Sequence, residues 1–536
     1  MRHVEARAGV YADSVTLMQV TAQAQAVSGV RAALVAMATE LNLGLLGELG
    51  LKPPDRAGLH DLLIAIEADD GESLATAIAV VDNVLSARPA DEAVAGEQPP
   101  RTTFSAARRV GSGLALISVP GQFAFAEAVD ALDAGCDVMI FSDSVPIEQE
   151  VWLKDRAAER GLLVMGPDCG TAVVAGIGLG FSHSVPAGTI GLVAASGTGA
   201  QQIICLLDAA GAGVSAVLGV GGRDLSAEVG GRSARAALAA LDADPATELI
   251  VLLSKPPAEQ VAAELIKYAA TLATPVQFAL IGPGQPDLTA AAESALRATG
   301  QQVPDWPVWP AAGGAAPGDH RGGTGVLHGL FAGGTLCDEA MVIAAERLGP
   351  VYSNIPLRPQ WRLGARGPVG PRASSGSDSS GPWHMMIDFG DDELTAGRPH
   401  PMIDQRLRLD RLAAEAADPA TAVIMLDVVL GHGAHPDPAA EIAPAIAAAL
   451  EGRAAGAASA AGSGAAGLGT AGSGTEGSGS DLAVVVSLVG ARSDPQGLTA
   501  QATALAAAGA HVFASNAQAA RFACDLAGQG RGGGTA

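Results

Sequence analysis

The chain has 536 residues, 49% of them hydrophobic and 16% charged, with 56 acidic against 32 basic side chains and a net charge of −24. Such an acidic surface repels nucleic acid and anionic lipid, and aromatic residues at 3% provide no row of base-stacking platforms. Every apolar stretch is broken by Gly, Asp or Pro short of the roughly 20 residues a spanning helix needs, and no apolar core follows the first arginines, so the expectation is a cytoplasmic protein of several domains.

In chain order, residues 1–103 read as an α/β domain with a helix over 14–27, a strand over 30–37 and a helix over 71–87, closed by a polar linker near 89–103. Residues 104–187 alternate more cleanly: strand 113–119, helix 123–134, strand 137–141, helix 147–160, and strand 162–165. That spacing implies βαβ crossovers and a parallel sheet. Residues 188–300 repeat the style, with strand 190–195, the turn Ser196-Gly197-Thr198-Gly199, a helix from about residue 200, and strand 214–220. Strand 248–253, helix 258–270, strand 276–281 and helix 288–298 follow. Residues 301–325, rich in Pro and Gly, read as a linker.

The second half holds a further α/β domain over 326–420. In it Gly333 to Glu339 opens a helix to about 348, a Gly/Ser/Pro loop covers 364–382, and strand 384–389 runs into an acidic turn. A C-terminal domain over 421–530 has one strand at 422–426 and another from 482 with its helix. The Ala/Gly/Ser run at 451–480 has nothing to repay its ordering entropy and reads as a disordered insertion. The five cysteines form no CxxC, so neither a disulfide framework nor a zinc site is indicated.

In parallel sheets ligands gather beyond the carboxyl ends of the strands, and the conspicuous residues fall there. Ser196, Gly197, Thr198 and Gly199 open a helix whose first N–H groups lack partners within it, a seat for phosphate or carboxylate, though structural turns share this composition. A comparable strand, turn and helix occupies 482–510. Asp168, Cys169, Gly170 and Thr171 follow the 162–165 strand, where a helix-capping turn is an equal reading. Gly333, Gly334 and Thr335 form a second such helix start, with Asp338 and Glu339 as acids favouring its dipole. Asp388, Asp391, Asp392 and Glu393 are either a solvated turn or a holder for Mg²⁺ or an amine. Arg398 offers a fork to a carboxylate and His400 a proton near neutrality, in a loop stiffened by Pro399 and Pro401, though a loop arginine paired to one of the nearby acids is an ordinary surface feature. Asp224 reads as a turn residue, and His432 with His435 lack a third ligand, so no metal site is assigned.

The stretch from Val119 to Gly170, with AEAVDALDAGCDVMIFSD and GLLVMGPDCG, resembles the CoA-binding domain of the succinyl-CoA synthetase alpha subunit, and GTIGLVAASGTGAQQ with VGGRDL resembles its ligase domain. YADSVTLM (Tyr11–Met18), MGPDCGTA, SGTGAQQ, GLFAGGTLCDEA (Gly329–Ala340), FGDDELTAGRPHPMID (Phe389–Asp404) and LDVVLGHGAHPDPA (Leu426–Ala439) more closely resemble the FdrA family, over nearly the whole chain apart from the linkers. The resemblance implies several Rossmann-like and flavodoxin-like parallel-sheet domains: a CoA-binding-like domain at 104–187, a ligase (CoA) domain at 188–300 and a ligase-like domain at 421–530. It also implies that the units at Ser196–Gln201 and around Ser487–Gln496 are the paired helices that flank a transferred phosphate.

Family synthetases carry a phosphorylatable histidine, yet residues 254–284 contain none. Nothing in 301–536 is patterned as an ATP-grasp domain, and 1–110 show no glycine fingerprint for CoA. The expectation is therefore a subunit of an oxamate carbamoyltransferase-type enzyme of allantoin and purine degradation, converting oxalurate and phosphate to oxamate and carbamoyl phosphate in a hetero-oligomer with other carbamoyltransferase subunits. Ser196, Gly197, Thr198 and Gly199 would hold phosphate, with Cys169, Gly170 and Thr171 lining the substrate. Gly333, Gly334 and Thr335 would form a second anion or oxyanion site, Arg398 would clamp a carboxylate, and Asp168 and His400 would orient substrate or move a proton. No cofactor is assigned beyond an optional Mg²⁺. The alternative is an acyl-CoA synthetase subunit, succinate–CoA ligase-like, using CoA and a nucleotide; a further alternative is a scaffold or metabolite-sensing subunit.

Overall fold

Two small sheets begin the chain in the computed structural model, which describes residues 1–39 apart from 11 and 13, parts of 40–60, then 61–86, 100–312, 325–364, 367–368, 383–395, 398–463 and 482–528. By its internal contacts the chain divides into two units, Met1–Cys169 with Asp392–Asp404, and Gly170–Asp391 with Gln405–Ala536.

In the first unit, β1 (Arg2–Arg7), α1 (Ser14–Gln25), β2 (Val30–Met37), β3 (Leu62–Ala68) and α2 (Gly71–Ser86) build an antiparallel sheet ordered β1-β3-β2. The central β3, LLIAIEA, is apolar at nearly every position because its two faces feed two cores. Leu62, Ile64 and Ile66 share one core with Val20 and Ala24 of α1 and Ala77 and Val81 of α2; Leu63 and Ala65 share the other with Leu46 and Leu51. Next, α3 (Thr103–Val110) starts at a Thr102–Ser105 capping box. Then β4 (Leu114–Ile117), α4 (Gly121–Asp133), β5 (Asp137–Ile140), α5 (Ile147–Glu159) and β6 (Val164–Met165) give a parallel sheet ordered β4-β5-β6. Ala124, Ala128 and Ala131, at helical spacing, bring α4 into one core with Val138 and Ile140.

In the second unit, β7 (Thr171–Val174) and β8 (Ile177–Gly180) form a hairpin, followed by β9 (Ala187–Ala194), α6 (Gly197–Ala209), β10 (Val214–Gly219), α7 (Arg232–Asp242), β11 (Leu249–Ser254), α8 (Glu259–Ala269), β12 (Val276–Leu280) and α9 (Leu288–Ala298). The strands form one sheet ordered β12-β11-β9-β10-β7-β8, its first four strands parallel. A second sheet takes β13 (Val308–Trp309), β14 (Val326–Phe331), β15 (Val351–Tyr352), β16 (His384–Asp388), β17 (Thr421–Val429), β18 (Ala483–Val489) and β19 (Ala510–Phe513). Its order is β13-β19-β18-β17-β14-β16-β15, parallel except for β13. Its helices are α10 (Gly334–Leu348), α11 (Arg406–Ala417), α12 (Pro438–Ser463), α13 (Leu498–Ala507) and α14 (Asn516–Gly528). All nine residues of β17 are buried, as a parallel strand covered on both faces requires. Among the described residues no helix is long and apolar enough to cross a membrane.

The chain is α/β with parallel-containing sheets, but its divisions differ from the sequence reading. The 104–187 domain is cut at Cys169, because positive φ at Ala175 (51°) and Gly176 (76°) makes a two-residue hairpin, and β7 pairs antiparallel with β10. Residues 326–420 and 421–530 are not two domains: β14 pairs with β16 on one side and β17 on the other, so one sheet spans the expected boundary. The 301–325 linker contributes β13, which pairs with β19. Of the 451–480 insertion, alanine-rich 451–463 continues α12, and 464–480 lie outside the described residues, as do Gly397 and most of loop 364–382.

Candidate active site

After β9 the chain turns at Ser196, whose backbone is extended (φ −162°, ψ 122°) and whose Oγ accepts the Gly199 N–H at 3.0 Å. Such an N-cap contributes about 1 kcal/mol and starts α6 at Gly197, earlier than the sequence suggests. Gly199 has to be glycine. A Cβ there would stand 2.7 Å from Ser196 Oγ, 2.9 Å from Leu253 Cδ2 and 3.0 Å from Thr335 Cγ2.

The start of α10 arrives from the other sheet. Past β14, the N–H groups of Ala332 and Gly333 donate to Asp427 Oδ1 and Oδ2 at 2.6 and 2.8 Å. Asp427 is fully buried near the end of β17, and the buried Arg408 of α11 donates to its Oδ1 at 2.6 Å and its carbonyl at 2.9 Å. Burial pushes the Asp427 carboxyl upward against the pull of Arg408. A carboxylate held by an arginine thus fixes the turn that precedes α10.

The two helix starts interlock. Ser196 Oγ and Thr335 Oγ1 are hydrogen-bonded at 2.6 Å, and a Cβ on Gly333 would stand 2.9 Å from the Thr198 side chain. Each start presses a glycine against the other's threonine: Gly333 on Thr198, Gly199 on Thr335. The first N–H groups of a helix have no partner within it, and its N-terminal end carries partial positive charge. Side by side, Gly197–Thr198 and Gly334–Thr335 supply two such sets of donors, suited to a tetrahedral anion.

Charged side chains stand beside this junction. Lys255, just beyond β11, places Nζ 2.8 Å from Asp338 Oδ2 of α10, and its side chain is 42% exposed. Asp388 ends β16, with Oδ1 accepting the Gly390 N–H at 2.9 Å. Both reach Gly334, where a Cβ would stand 2.6 Å from Asp388 Oδ2 and 3.4 Å from Lys255 Nζ. Desolvation pulls Lys255 down, but Asp338 outweighs it and the ammonium titrates above its usual range. Desolvation pushes Asp338 up, and Asp388 up to about 7, each opposed by Lys255. Burial and then Asp388 hold the Cys337 thiol well above its ordinary value, which makes it a packing residue.

A second buried pair braces α6. His183 Nδ1 lies 2.6 Å from Asp494 Oδ2, and Asp494 accepts the N–H groups of Ser184 and Ala491 at 2.9 and 2.7 Å. Burial would raise the Asp494 carboxyl, but the hydrogen bond to His183 outweighs it and the net shift is downward. Gln201 of α6 reaches His183 Nε2 at 3.4 Å. The segment around Ser487–Gln496, expected to supply the second phosphate-flanking helix, supplies this carboxylate instead. Its helix begins only at Leu498, and the start that faces Ser196 is that of α10.

Of the residues singled out in the sequence, Ser196, Gly197, Thr198, Gly199, Gly333, Gly334 and Thr335 come together here. Thr171 joins them: its Oγ1 would lie 3.5 Å from a Cβ on Gly197, and it donates to the Phe181 carbonyl at 2.8 Å. Gly170 accepts the Phe181 N–H at 2.8 Å in the same hairpin. Asp168, Cys169, Arg398 and His400 belong to the first unit. There Asp168, at φ 56°, donates its N–H to the Ser142 carbonyl at 3.0 Å, and Cys169 is buried with its N–H on the Ile140 carbonyl at 3.1 Å. Arg398 is exposed, and His400 Nδ1 accepts the Met402 N–H at 3.2 Å. Asp224 caps α7 through the N–H groups of Ser233 and Ala234 at 3.0 and 2.8 Å. His432 Nε2 lies 2.9 Å from Ser184 Oγ, and His435 Nε2 lies 3.4 Å from Glu441. Sequence reasoning singles out neither Lys255, Arg408, His183 nor Asp494. Lys255 carries a usable signal: it is one of four lysines in the chain and follows a buried parallel strand.

The family profile described as "AllF, heavy metal-associated domain" matches residues 1–101, and that described as "CoA-ligase" matches residues 330–526. Residues 1–101 contain no cysteine and only His3 and His60 as histidines, so they offer no thiolate to a soft metal. The chain is 39% identical over 472 residues to the uncharacterized protein YahF of Escherichia coli, covering 83% of this chain and 88% of that one. It is 29% identical over 160 residues to the alpha subunit of the ADP-forming succinate–CoA ligase of Aquifex aeolicus, and 30% identical over 168 residues to the alpha 2 subunit from Archaeoglobus fulgidus. These matches take in 29% and 30% of this chain and 51% and 57% of those subunits, so the likeness spans about half their length. Among solved structures, the dinucleotide-forming acetyl-coenzyme A synthetase 1 of Ca. Korarchaeum cryptofilum, in complex with phosphate and ADP, aligns over 82% of this chain and 86% of that one at 14% identity, with a TM-score of 0.27.

Proposed function

The chain belongs to the same family as YahF and carries a CoA-ligase domain; from that premise we propose that it forms or consumes an acyl phosphate. Inorganic phosphate and a thioester such as an acyl-CoA would exchange to give an acyl phosphate and a free thiol, or the reverse. The observation that carries this reading is the reciprocal contact of Gly199 with Thr335 and Gly333 with Thr198, which sets two groups of helix N–H donors beside Lys255.

In the forward direction a phosphate oxygen attacks the carbonyl carbon and charge builds on the carbonyl oxygen. The carbon–sulfur bond then breaks and the sulfur leaves with the electron pair. The N–H groups of one helix start hold the phosphate, while those of the other, with Lys255, meet the developing oxyanion. This needs no nucleophile from the protein, in keeping with a buried Cys337 and the absence of histidine from 254–284. Any nucleotide step would fall to a partner subunit. Carbamoyl phosphate is itself an acyl phosphate, so the oxamate reaction differs in its leaving group. Kinship with CoA ligases favours the thiol, and no relative named above supports carbamoyl transfer.

The test is to incubate the full chain with acetyl phosphate and coenzyme A and follow thioester formation, beside a parallel reaction of carbamoyl phosphate with oxamate. Thioester that depends on the protein supports the reading. Phosphate release that needs oxamate and not CoA would replace the thiol with an amide. Turnover of neither acyl phosphate would overturn the proposal.

A further inference from the structure

Asp388 is held more firmly than its place at a strand end requires. Its N–H donates to Asn354 Oδ1 at 3.0 Å, and its carbonyl accepts from Asn354 Nδ2 at 2.8 Å. This amide clamp fixes the end of β16, and the Gly390 N–H fixes Oδ1. Oδ2 accepts no hydrogen bond among the described residues, although the residue is only 6% exposed. Unlike Ser487 Oγ or Asn516 Oδ1, which are sealed from water without a partner, this oxygen stays open to a reactant. It lies over Gly334, the first residue of α10, where any side chain would displace it, and faces the same point as the Lys255 ammonium.

We infer that Asp388 is the proton-transfer residue of this site, its Oδ2 taking the proton of an incoming thiol as an acyl phosphate is captured and returning it to the leaving sulfur in the opposite direction. The inference rests on the acyl-phosphate reading above and adds its acid–base partner. In the capture direction the thiol sulfur bonds to the carbonyl carbon and its proton passes to Asp388 Oδ2. The carbon–oxygen bond to phosphate then breaks, the electron pair leaves with the phosphate, and Asp388 gives its proton to that phosphate or to solvent.

The charges around Asp388 suit the task. Lys255 faces it from the end of β11, Cys337 and Asp338 from α10, and Asp427, with Arg408 behind it, from β17. Desolvation is the largest influence and raises the carboxyl. Lys255 and the Gly390 N–H lower it, Asp338 and Asp427 raise it again, and the outcome is about 7. Both protonation states are then populated near neutrality, which a proton shuttle requires.

The experiment compares the full chain with Asp388→Asn and Lys255→Gln in the acetyl phosphate and coenzyme A assay across pH. Asp388→Asn keeps an oxygen for the Gly390 N–H and should lower kcat about 100-fold, with the KM for acetyl phosphate little changed. Lys255→Gln removes the charge that favours the carboxylate, so the acid limb of its pH–rate profile should move to higher pH. A kcat in Asp388→Asn within about threefold of wild type overturns the assignment, since general acid–base groups contribute far more. If Asp388→Asn does not fold, an unmoved limb in Lys255→Gln overturns it equally. Wild-type protein that makes no thioester overturns the acyl-phosphate reading itself, and this inference with it.

Discussion

Ser196 Oγ lies 2.6 Å from Thr335 Oγ1, joining residues 139 positions apart. The same serine oxygen accepts the Gly199 N–H, so the cap of one helix and the bridge to the next meet on a single atom. Both residues are almost wholly shielded from water, Ser196 just past β9 of one sheet and Thr335 in the first turn of α10, which follows β14 of the other.

Thr335→Val keeps the shape of the contact and removes its hydroxyl. It should cost about 1–2 kcal/mol of stability. Gly333→Ala should do more harm, because its Cβ would stand 2.9 Å from three atoms of Thr198 and force the helix starts apart. Phosphate titration by calorimetry, read beside a melting curve, checks both. Wild-type phosphate affinity in Gly333→Ala would remove the interlock from the binding site.

Arg408→Met should destabilise the second unit strongly, since it leaves Asp427 buried without its ion partner. Losses of about 3–5 kcal/mol are usual for such a change. Adding Asp427→Asn to it should recover some of the loss. Urea denaturation of the single and double variants reads this directly, and a double variant no more stable than Arg408→Met would contradict it.

Glu339 joins α9, α10 and α14: Oε1 accepts the Leu288 N–H at 2.6 Å and Oε2 accepts from Asn516 Nδ2 at 2.7 Å. Burial, then the nearby Asp287, raises its carboxyl from 4.5 to about 7. A carboxyl raised on folding binds its proton more tightly in the folded state. Its contribution is therefore full below the unfolded value of 4.5 and is lost as pH rises through about 7. Glu339→Gln mimics the protonated acid and should flatten that fall. Melting temperatures between about pH 4.5 and about pH 7.5 test it, that window bracketing the two titrations; an unchanged slope would count against Glu339 as its source.

Asp494 has the opposite sign. Against the cost of burial, His183 holds its carboxyl below the ordinary value. Its stabilisation is therefore present above the unfolded carboxylate range and is lost as pH falls through the lowered value. Asp494→Asn should cost about 1–3 kcal/mol at neutral pH, with the deficit narrowing towards acid. A deficit that stays constant with pH would mean that the variant disturbs packing rather than charge.

The elements between 113 and 165 and between 188 and 298 are legible in the sequence, because short apolar runs there alternate with amphipathic stretches at βαβ spacing. The β7–β8 hairpin is not, since its turn is the unremarkable pair Ala175-Gly176. Nor does anything local mark the pairing of β14 with β17, which merges two expected domains. The small residues of both helix starts can be read as anion seats, but their meeting depends on tertiary contact between distant segments. Lys255 follows a strand of one sheet and Asp388 ends a strand of the other, and their common approach to Gly334 leaves no trace in spacing. Arg398 and His400 draw notice because basic residues are scarce, and scarcity says nothing of placement; both lie in the first unit.

Because the starts of α6 and α10 belong to one polypeptide, their encounter is a ring closure rather than a collision. Loop-closure entropy grows slowly with length, so a separation of 139 residues costs little more than a much shorter one. The local concentration of one helix start around the other is set by the chain between them and not by how much protein the cell makes. Dilution that would dissociate a pair of separate subunits leaves this seat assembled.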